Sequence, residues 1–472
     1  MVQKWRESAL TMKAALLMSL CCVLKLRLAA TSILAVSLLA SGGAQSQESE
    51  PLRIVPVATT GSIGAPTAPR HATDWSGEDG ASGHPLMTAE AIREAAANFP
   101  ACIENLWPAA ARRGVSRESF VRLTASLTPD LRIMDLLDAQ PEFTKAFWDY
   151  LDILVTEARL QKGREVLKAY EPVFEAVERD FGVDRYIIAA IWGIESNYGS
   201  LGGERPVLRS TATLACIGRR QSYFREEFLA ALEILHRGDV RPELLKGSWA
   251  GAFGGTQFMP TTFKRYAVDF DGDGRRDVVT SAADLIASTA NNLQQDGWHA
   301  GHAWGYEVVV PEGFDYMLAD RAKQFTLAAW ERLGLRRANG APFPRPNDRA
   351  FLLLPAGARG PGFLMLHNFN VIMKYNPAEA YALAIGHFAD RLRGVGPFIQ
   401  AWPRDEQVLS RAERYELQRR LEARGFDVGE PDGRIGPRTR TALRNFQASI
   451  GLIPDGFASS RILRHLRASA YP

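Results

Sequence analysis

Helical periodicity over residues 87–245 constrains this chain more than any other feature. "TAEAIREAAANF" opens behind Thr88, which is placed as an N-cap. "LVTEARLQKGREVLKAYEPVFEAVERDFG" then repeats apolar positions at spacings of three and four. Helices of this kind bury one face each against a neighbour, so a mainly α fold is expected. The most apolar of them, "VDRYIIAAIWGIESNYG", sets Glu195 on the face shared by Ile188, Ile191 and Trp192. Apolar surroundings favour the neutral carboxyl, which is what a general acid working near neutral pH requires. The plainer alternative is a helix-end glutamate paired with an arginine. Ser196, Asn197 and Tyr198 add hydrogen-bonding groups, and Gly199 is the expected helix stop.

The N-terminus reads as an export signal over residues 1–44. Basic residues reach Lys25 and Arg27, "LAATSILAVSLLA" follows without a charge, and "SGGAQSQE" places cleavage after Ala44. The apolar run is too short to span a bilayer, although an uncleaved anchor is the other reading, and Met12 is an alternative start. No cysteine follows the run, so no lipid anchor is indicated, and the expected compartment is periplasmic. Of four cysteines, Cys21 and Cys22 fall in the signal, leaving Cys102 and Cys216. In an oxidising compartment a lone pair argues for one disulfide, with two buried thiols as the alternative. Neither has a second Cys or a His at ligand spacing.

Residues 45–85, rich in Gly, Ser, Thr, Pro and Ala, read as a flexible tether. A catalytic-sized helical domain is expected over 86–395, interrupted by a Gly-rich stretch and an acidic loop between 246 and 280. Helix patterns resume at 281–297, 320–333 and 376–392, and "EVVVP" with "AFLLLP" suggests a small strand pair. Residues 396–408 read as a linker. The remainder, 409–472, holds twelve arginines, no lysine and seven acids, a net of +5. It repeats Pro-Asp-Gly at a spacing of 23, each copy a turn before a short helix, as in a small helical module. The whole chain carries only +3 and has no basic run with interleaved aromatics, which sets nucleic acid aside as a partner.

Two further stretches carry groups suited to binding. In "GSWAGAFGGTQFMPTTF", 247–263, glycines let the backbone approach a ligand, and Ser248, Thr256 and Gln257 offer hydrogen bonds. Phe253, Phe258 and Met259 are expected in the core. In "NVIMKYNPAEAYALAI", 370–385, Tyr375 and Asn376 precede a helix, the ordinary reading being an N-cap Asn beside a packed Tyr. "DFDGDGRRDVVT", 269–280, starts as an EF-hand loop. Asp269, Asp271 and Asp273 stand at positions 1, 3 and 5, the Arg275 carbonyl at 7 and Asp277 at 9. Position 12 is Thr280 instead of a bidentate Glu. A structural calcium ion and a hydrogen-bonded acidic turn are both open readings.

"ESNYG", "SWAGAFGGTQFMP", "DFDGDG" and "YNPAEAYA", in this order over roughly 90–395, resemble the lytic murein transglycosylases of the membrane-bound B type. "LQRRLEARGFDVGEPDGRIGPRTRTALRNFQ" resembles the peptidoglycan-binding module that accompanies such enzymes. The resemblance implies a lysozyme-like catalytic domain with a small β element and a helical wall-binding tail. It implies that Glu195 protonates the bond between N-acetylmuramic acid and N-acetylglucosamine, then serves as base to the muramyl 6-hydroxyl. Ser196, Tyr198, Ser248, Gln257, Tyr375 and Asn376 would contact the glycan, and no cofactor would be required for the chemistry. The implied partners are glycan strands and stem peptides, with wall-synthesis or division complexes beyond them. The residues agree in one respect: a two-carboxylate glycosidase needs acids ~5–9.5 Å apart. Yet the Ser248 stretch, 247–263, holds no Asp or Glu, and Glu204 sits in a turn.

Overall fold

The computed structural model describes residues 75–80, 83–137 and 145–468. The expected signal and most of the expected tether lie outside them. Thr88 caps its helix as predicted, accepting the Ala91 N–H at 3.2 Å. The larger helical body is then assembled around one helix. This is α3 (Arg185–Ser196), packed against α1 (Glu157–Ala169) and α2 (Glu171–Phe181), with every residue from Ile187 to Gly193 buried. Thr156 caps α1, Gly182 at φ 68° ends α2, and Asp184 caps α3 through the Tyr186 N–H at 2.8 Å. α4 (Val207–Cys216) and α5 (Gln221–Arg237) form a hairpin, followed by α6 (Pro260–Tyr266) and α7 (Ala282–Gln295). The expected disulfide is present: Cys102 and Cys216 join the helix Phe99–Glu104 to the end of α4. Among the described residues no helix is long and apolar enough to cross a membrane.

The β content differs from the predicted pair. β1 (Arg205–Pro206) and β2 (Lys246–Gly247) form a two-stranded ladder under the Gly-rich loop. The larger sheet comprises β3 (Gly305–Val309), β4 (Phe325–Thr326), β5 (Arg336–Arg337), β6 (Arg349–Leu353) and β7 (Gly362–Met365), all antiparallel, in the order β4-β6-β7-β3-β5. "EVVVP" and "AFLLLP" are therefore β3 and β6, but they do not pair. Met365 of β7 stands opposite both Gly305 and Phe351, between them. The sheet buries its own apolar cluster around Val308, Trp330, Leu352 and Leu364. The predicted helix 320–333 shrinks to Leu327–Arg332, because Phe325–Thr326 joins β6 and Thr326 caps the shortened helix.

α8 (His367–Tyr375) and α9 (Glu379–Leu392) close the body, α9 lying along α3. Asn376 ends α8 instead of capping α9, its N–H donating to Ile372 O at 3.3 Å, and Pro377 forbids continuation. In the tail, α10 (Arg411–Glu422), α11 (Pro437–Ser449) and α12 (Ser460–Ala468) enclose Leu417, Leu421, Leu443, Phe446, Ile462 and Leu466. Its two Pro-Asp-Gly turns are held alike. Gln418 accepts the Asp432 and Gly433 N–H groups (3.0 and 2.7 Å), and Gln447 accepts that of Gly456 (2.8 Å).

Both expected connectors end in docked chain. Trp75 lies under the Arg93 guanidinium, and Ser76 donates twice to the Asp135 carboxylate (2.6 and 3.1 Å). In the linker, Phe398 stacks on His387 at 3.8 Å and meets Phe363 at 4.8 Å. Trp402 faces Trp148 at 6.0 Å, and the Ile399 and Gln400 N–H groups donate to Glu307 (2.9 and 2.7 Å).

Candidate active site

Glu195 is half-buried at the C-terminal end of α3, above the fully buried Ile188, Ile191 and Trp192. The helix stops at Asn197, two residues before the expected Gly199. Asn197, Tyr198 and Gly199 take φ values of 49°, 58° and 82°, three left-handed residues in succession. That conformation costs non-glycine residues roughly 1–3 kcal/mol each and persists only where neighbours enforce it. Lys162 Nζ donates to Asn197 O (2.9 Å) and Ser200 Oγ (3.1 Å), while Ser196 Oγ donates to Gly255 O and accepts the Gly199 N–H (2.8 Å).

This turn corrects two of the expected substrate contacts. Ser196 is 1% exposed, and its hydroxyl stitches the turn to the Gly-rich loop. Tyr198, 5% exposed, is folded back under the helix edge-on to Trp192 at 5.8 Å. Its hydroxyl sits where a Cβ on Gly163 or Gly193 would come within 2.2 or 2.6 Å. Tyr198 is a core residue, its phenol pushed up first by burial, with Arg159 opposing.

The Gly-rich loop is the second wall. Ser248 closes its turn, donating N–H to Ala252 O (2.8 Å) and accepting the Ala252 N–H on Oγ (3.1 Å). Phe253 and Phe258 are buried and bridge each other, as expected for core. Gln257 adopts φ 54°, and its Nε2 donates to Gly202 O (3.1 Å) and Gly254 O (2.9 Å), tying this loop to the one after the catalytic turn. Gly255 lets the loop touch α3, since a Cβ there would lie 2.6 Å from Trp192 Nε1.

The third wall comes from α8 and α9. Tyr375 donates its hydroxyl to Thr256 O. Asn376 lies beside it in the α8–α9 connection, accepting the Ala378 N–H at 2.8 Å. The residue that reaches Glu195 stands in the quoted "YNPAEAYA" stretch but was given no role there. Tyr381, 2% exposed near the start of α9, donates to Glu195 Oε1 at 2.7 Å. The available signal was that motif, in which it follows Tyr375 by six residues. Burial first, then the charge of Glu195, pushes both phenols well above the ordinary tyrosine range, so both remain protonated donors. Glu204 faces solvent and pairs with Lys246 at 3.8 Å. Hydrogen bonds to charged groups contribute about 1.5–3 kcal/mol, so Tyr381→Phe is expected to lower turnover about 10- to 100-fold, with a loss of stability no larger than that contribution. Initial rates beside a melting curve check this.

A carboxylate ending a buried helix, gripped by a phenol and faced by a glycine-rich loop, can hold and pass on a proton, and that loop brings no second carboxylate. Residues 98–390 match the family described as the transglycosylase SLT domain, and 410–466 match a peptidoglycan binding domain. The chain belongs to the SLT transglycosylase family. This transglycosylase is 28% identical over 289 residues to membrane-bound lytic murein transglycosylase B of Escherichia coli, covering 58% of this chain and 77% of that one. It is 45% identical to SltB3 from Pseudomonas aeruginosa, solved in complex with NAG-anhNAM-pentapeptide. The likeness covers 78% of this chain and 99% of that one, with a TM-score of 0.76. Slt35 of E. coli, solved in complex with calcium, is 26% identical over 69% of this transglycosylase and 98% of its own chain, with a TM-score of 0.54.

The acidic loop of the transglycosylase fits a hard cation in part. Asp269, Asp271 and Asp273 bring carboxylate oxygens within 4.8 Å of one another at the surface. These groups also brace their own loop: Asp269 accepts the Gly272 and Gly274 N–H groups (2.8 and 2.9 Å), and Asp273 is paired with the Arg275 guanidinium (3.0 Å). Asp277 leaves the cluster, a correction to the expected ligand set. It is buried and accepts the Val279 and Thr280 N–H groups at 2.8 Å. Beneath the loop the buried Asp284 accepts the Phe270 and Asp277 N–H groups (2.7 and 2.8 Å), and burial pushes it up to about 6.

Proposed function

We propose that this protein cleaves the β-1,4 bond between N-acetylmuramic acid and N-acetylglucosamine in peptidoglycan without consuming water. Glu195 gives its proton to the leaving glycosidic oxygen as the bond to the anomeric carbon breaks. The resulting carboxylate takes the proton of the muramyl 6-hydroxyl, whose oxygen closes on the anomeric carbon as a 1,6-anhydro ring. Glu195 ends the cycle protonated, and atoms balance with no external nucleophile. The observation that carries this reading is the 2.7 Å hydrogen bond from Tyr381 to Glu195 Oε1. A permanently protonated phenol stabilises the carboxylate form between the two proton transfers and fixes its direction. Gln257, Ser248, Tyr375 and Asn376 shape the walls against which the glycan lies. That the P. aeruginosa relative was crystallised with both NAG-NAM- and NAG-anhNAM-pentapeptide supports the same substrate class here.

The tail would hold the wall while the body cuts, its arginines meeting stem-peptide carboxylates. Export by the residue 1–44 signal would bring the enzyme to that wall. A calcium ion held by Asp269, Asp271 and Asp273 would stiffen the loop packed on α7, with no part in bond cleavage. Mass spectrometry of digested sacculi tests the chemistry. Products lighter by one water, with anhydro ends, are expected; reducing muramic ends would instead make the enzyme a hydrolase.

A further inference from the structure

Of the charged contacts between tail and body, one falls on the helix that supplies Tyr381, while others reach Ala319–Asp320 and, from Asp455, the Ala358 N–H (2.9 Å). Arg440 on α11 donates to Glu379 Oε2 at 2.8 Å, and Glu379 is the first residue of α9, two before Tyr381. Arg321 lies 3.8 Å from Glu379 Oε1 and donates to Asn370 Oδ1 on α8 at 2.7 Å. Arg444, 4% exposed, grips the segment carrying Arg321 by donating to Ala319 O (2.7 Å) and Asp320 Oδ2 (3.0 Å). Phe457 of the tail adds an apolar seat beside Trp148 and Ala356. A cavity of about 440 Å³, bordered by Glu379, Arg434, Arg440 and Arg444, lies next to these bridges. The contact thus combines a few ionic links with the Phe457 seat and leaves a cavity beside Glu379.

We propose that docking of the tail module sets the position of Tyr381 against Glu195, with Glu379 as a positioning residue and Arg440 as the group that holds it. α8 and α9 are joined by only Asn376, Pro377 and Ala378, so a displacement at Glu379 passes to the start of α9 with little slack. Tyr381 follows Glu379 by two residues, within one turn, and a hydrogen bond of 2.7 Å weakens steeply when its donor shifts. The wall-binding module then governs turnover as well as attachment. This rests on the assignment of Glu195 as the catalytic acid.

The test uses the full chain and short soluble NAG–NAM oligosaccharides, measuring kcat and KM separately, with pelleting on sacculi and thermal melting alongside. Arg440→Ala is expected to lower kcat at least about fivefold while KM and sacculus binding stay within about twofold. Arg440→Lys should restore part of the loss, and so should the exchanged pair Arg440→Glu with Glu379→Arg. Unchanged kcat in Arg440→Ala, with Glu195→Gln inactive, overturns the proposal alone. A kcat loss that tracks a lowered melting point and is not relieved by Arg440→Lys also overturns it, marking a stability role. Cleavage that survives Glu195→Gln brings down the functional assignment and this proposal together.

Discussion

Glu195→Gln is expected to reduce release of soluble fragments from sacculi by at least about 10³-fold, because one group supplies both proton transfers and each is worth roughly 10²–10⁴-fold. The amide oxygen still accepts from Tyr381, so the helix end and its turn should persist, and the variant should pellet with sacculi as the parent does. Fragment release by chromatography and a binding assay on the same preparation decide the matter. Residual activity above about a tenth of the parent would remove Glu195 from its role, since a lone acid/base leaves no such reserve.

The second large effect concerns stability. Cys102→Ser together with Cys216→Ser opens a loop with a sequence separation of 114, and loss of such a cross-link typically costs about 2–5 kcal/mol. The bond ties the first helices of the body to the end of α4, which leads through α5 into the loops flanking the site. Denaturant unfolding without reductant should show the midpoint lowered, and reductant should bring the parent to the variant's curve. A difference below about 1 kcal/mol would mean the packing around α4 holds without the cross-link.

What could be read in advance was what local physics decides. The cap at Thr88 has a short-range signature, and the buried run around Ile188 and Trp192 shows its period directly. Two cysteines in an oxidising compartment have one partner each. Ser196 and Tyr198 failed as substrate contacts for a definite reason. Nothing in "ESNYG" marks three consecutive left-handed residues, which fold Tyr198 back into the core, while Ser196, still in the helix, spends its hydroxyl on Gly255 O. Tyr381 was hidden differently. Its bond to Glu195 spans 186 positions, and no periodicity in α9 distinguishes a tyrosine packed for volume from one aimed at a carboxylate. The sheet order is equally non-local: β7 is four residues beside a Gly-Pro-Gly stretch, and only pairing on both sides makes it central.

The aromatic strap at 398–402 bears on how this chain can be divided. Phe398 covers His387 and Phe363, and Trp402 covers Trp148, so these side chains belong to the body and not to a spacer. A fragment trimmed at 395 would bare that seam and the Glu307 carboxylate that receives Ile399 and Gln400. Expression boundaries, graft points for a foreign wall anchor and protease nicks tolerated during purification all belong beyond Trp402.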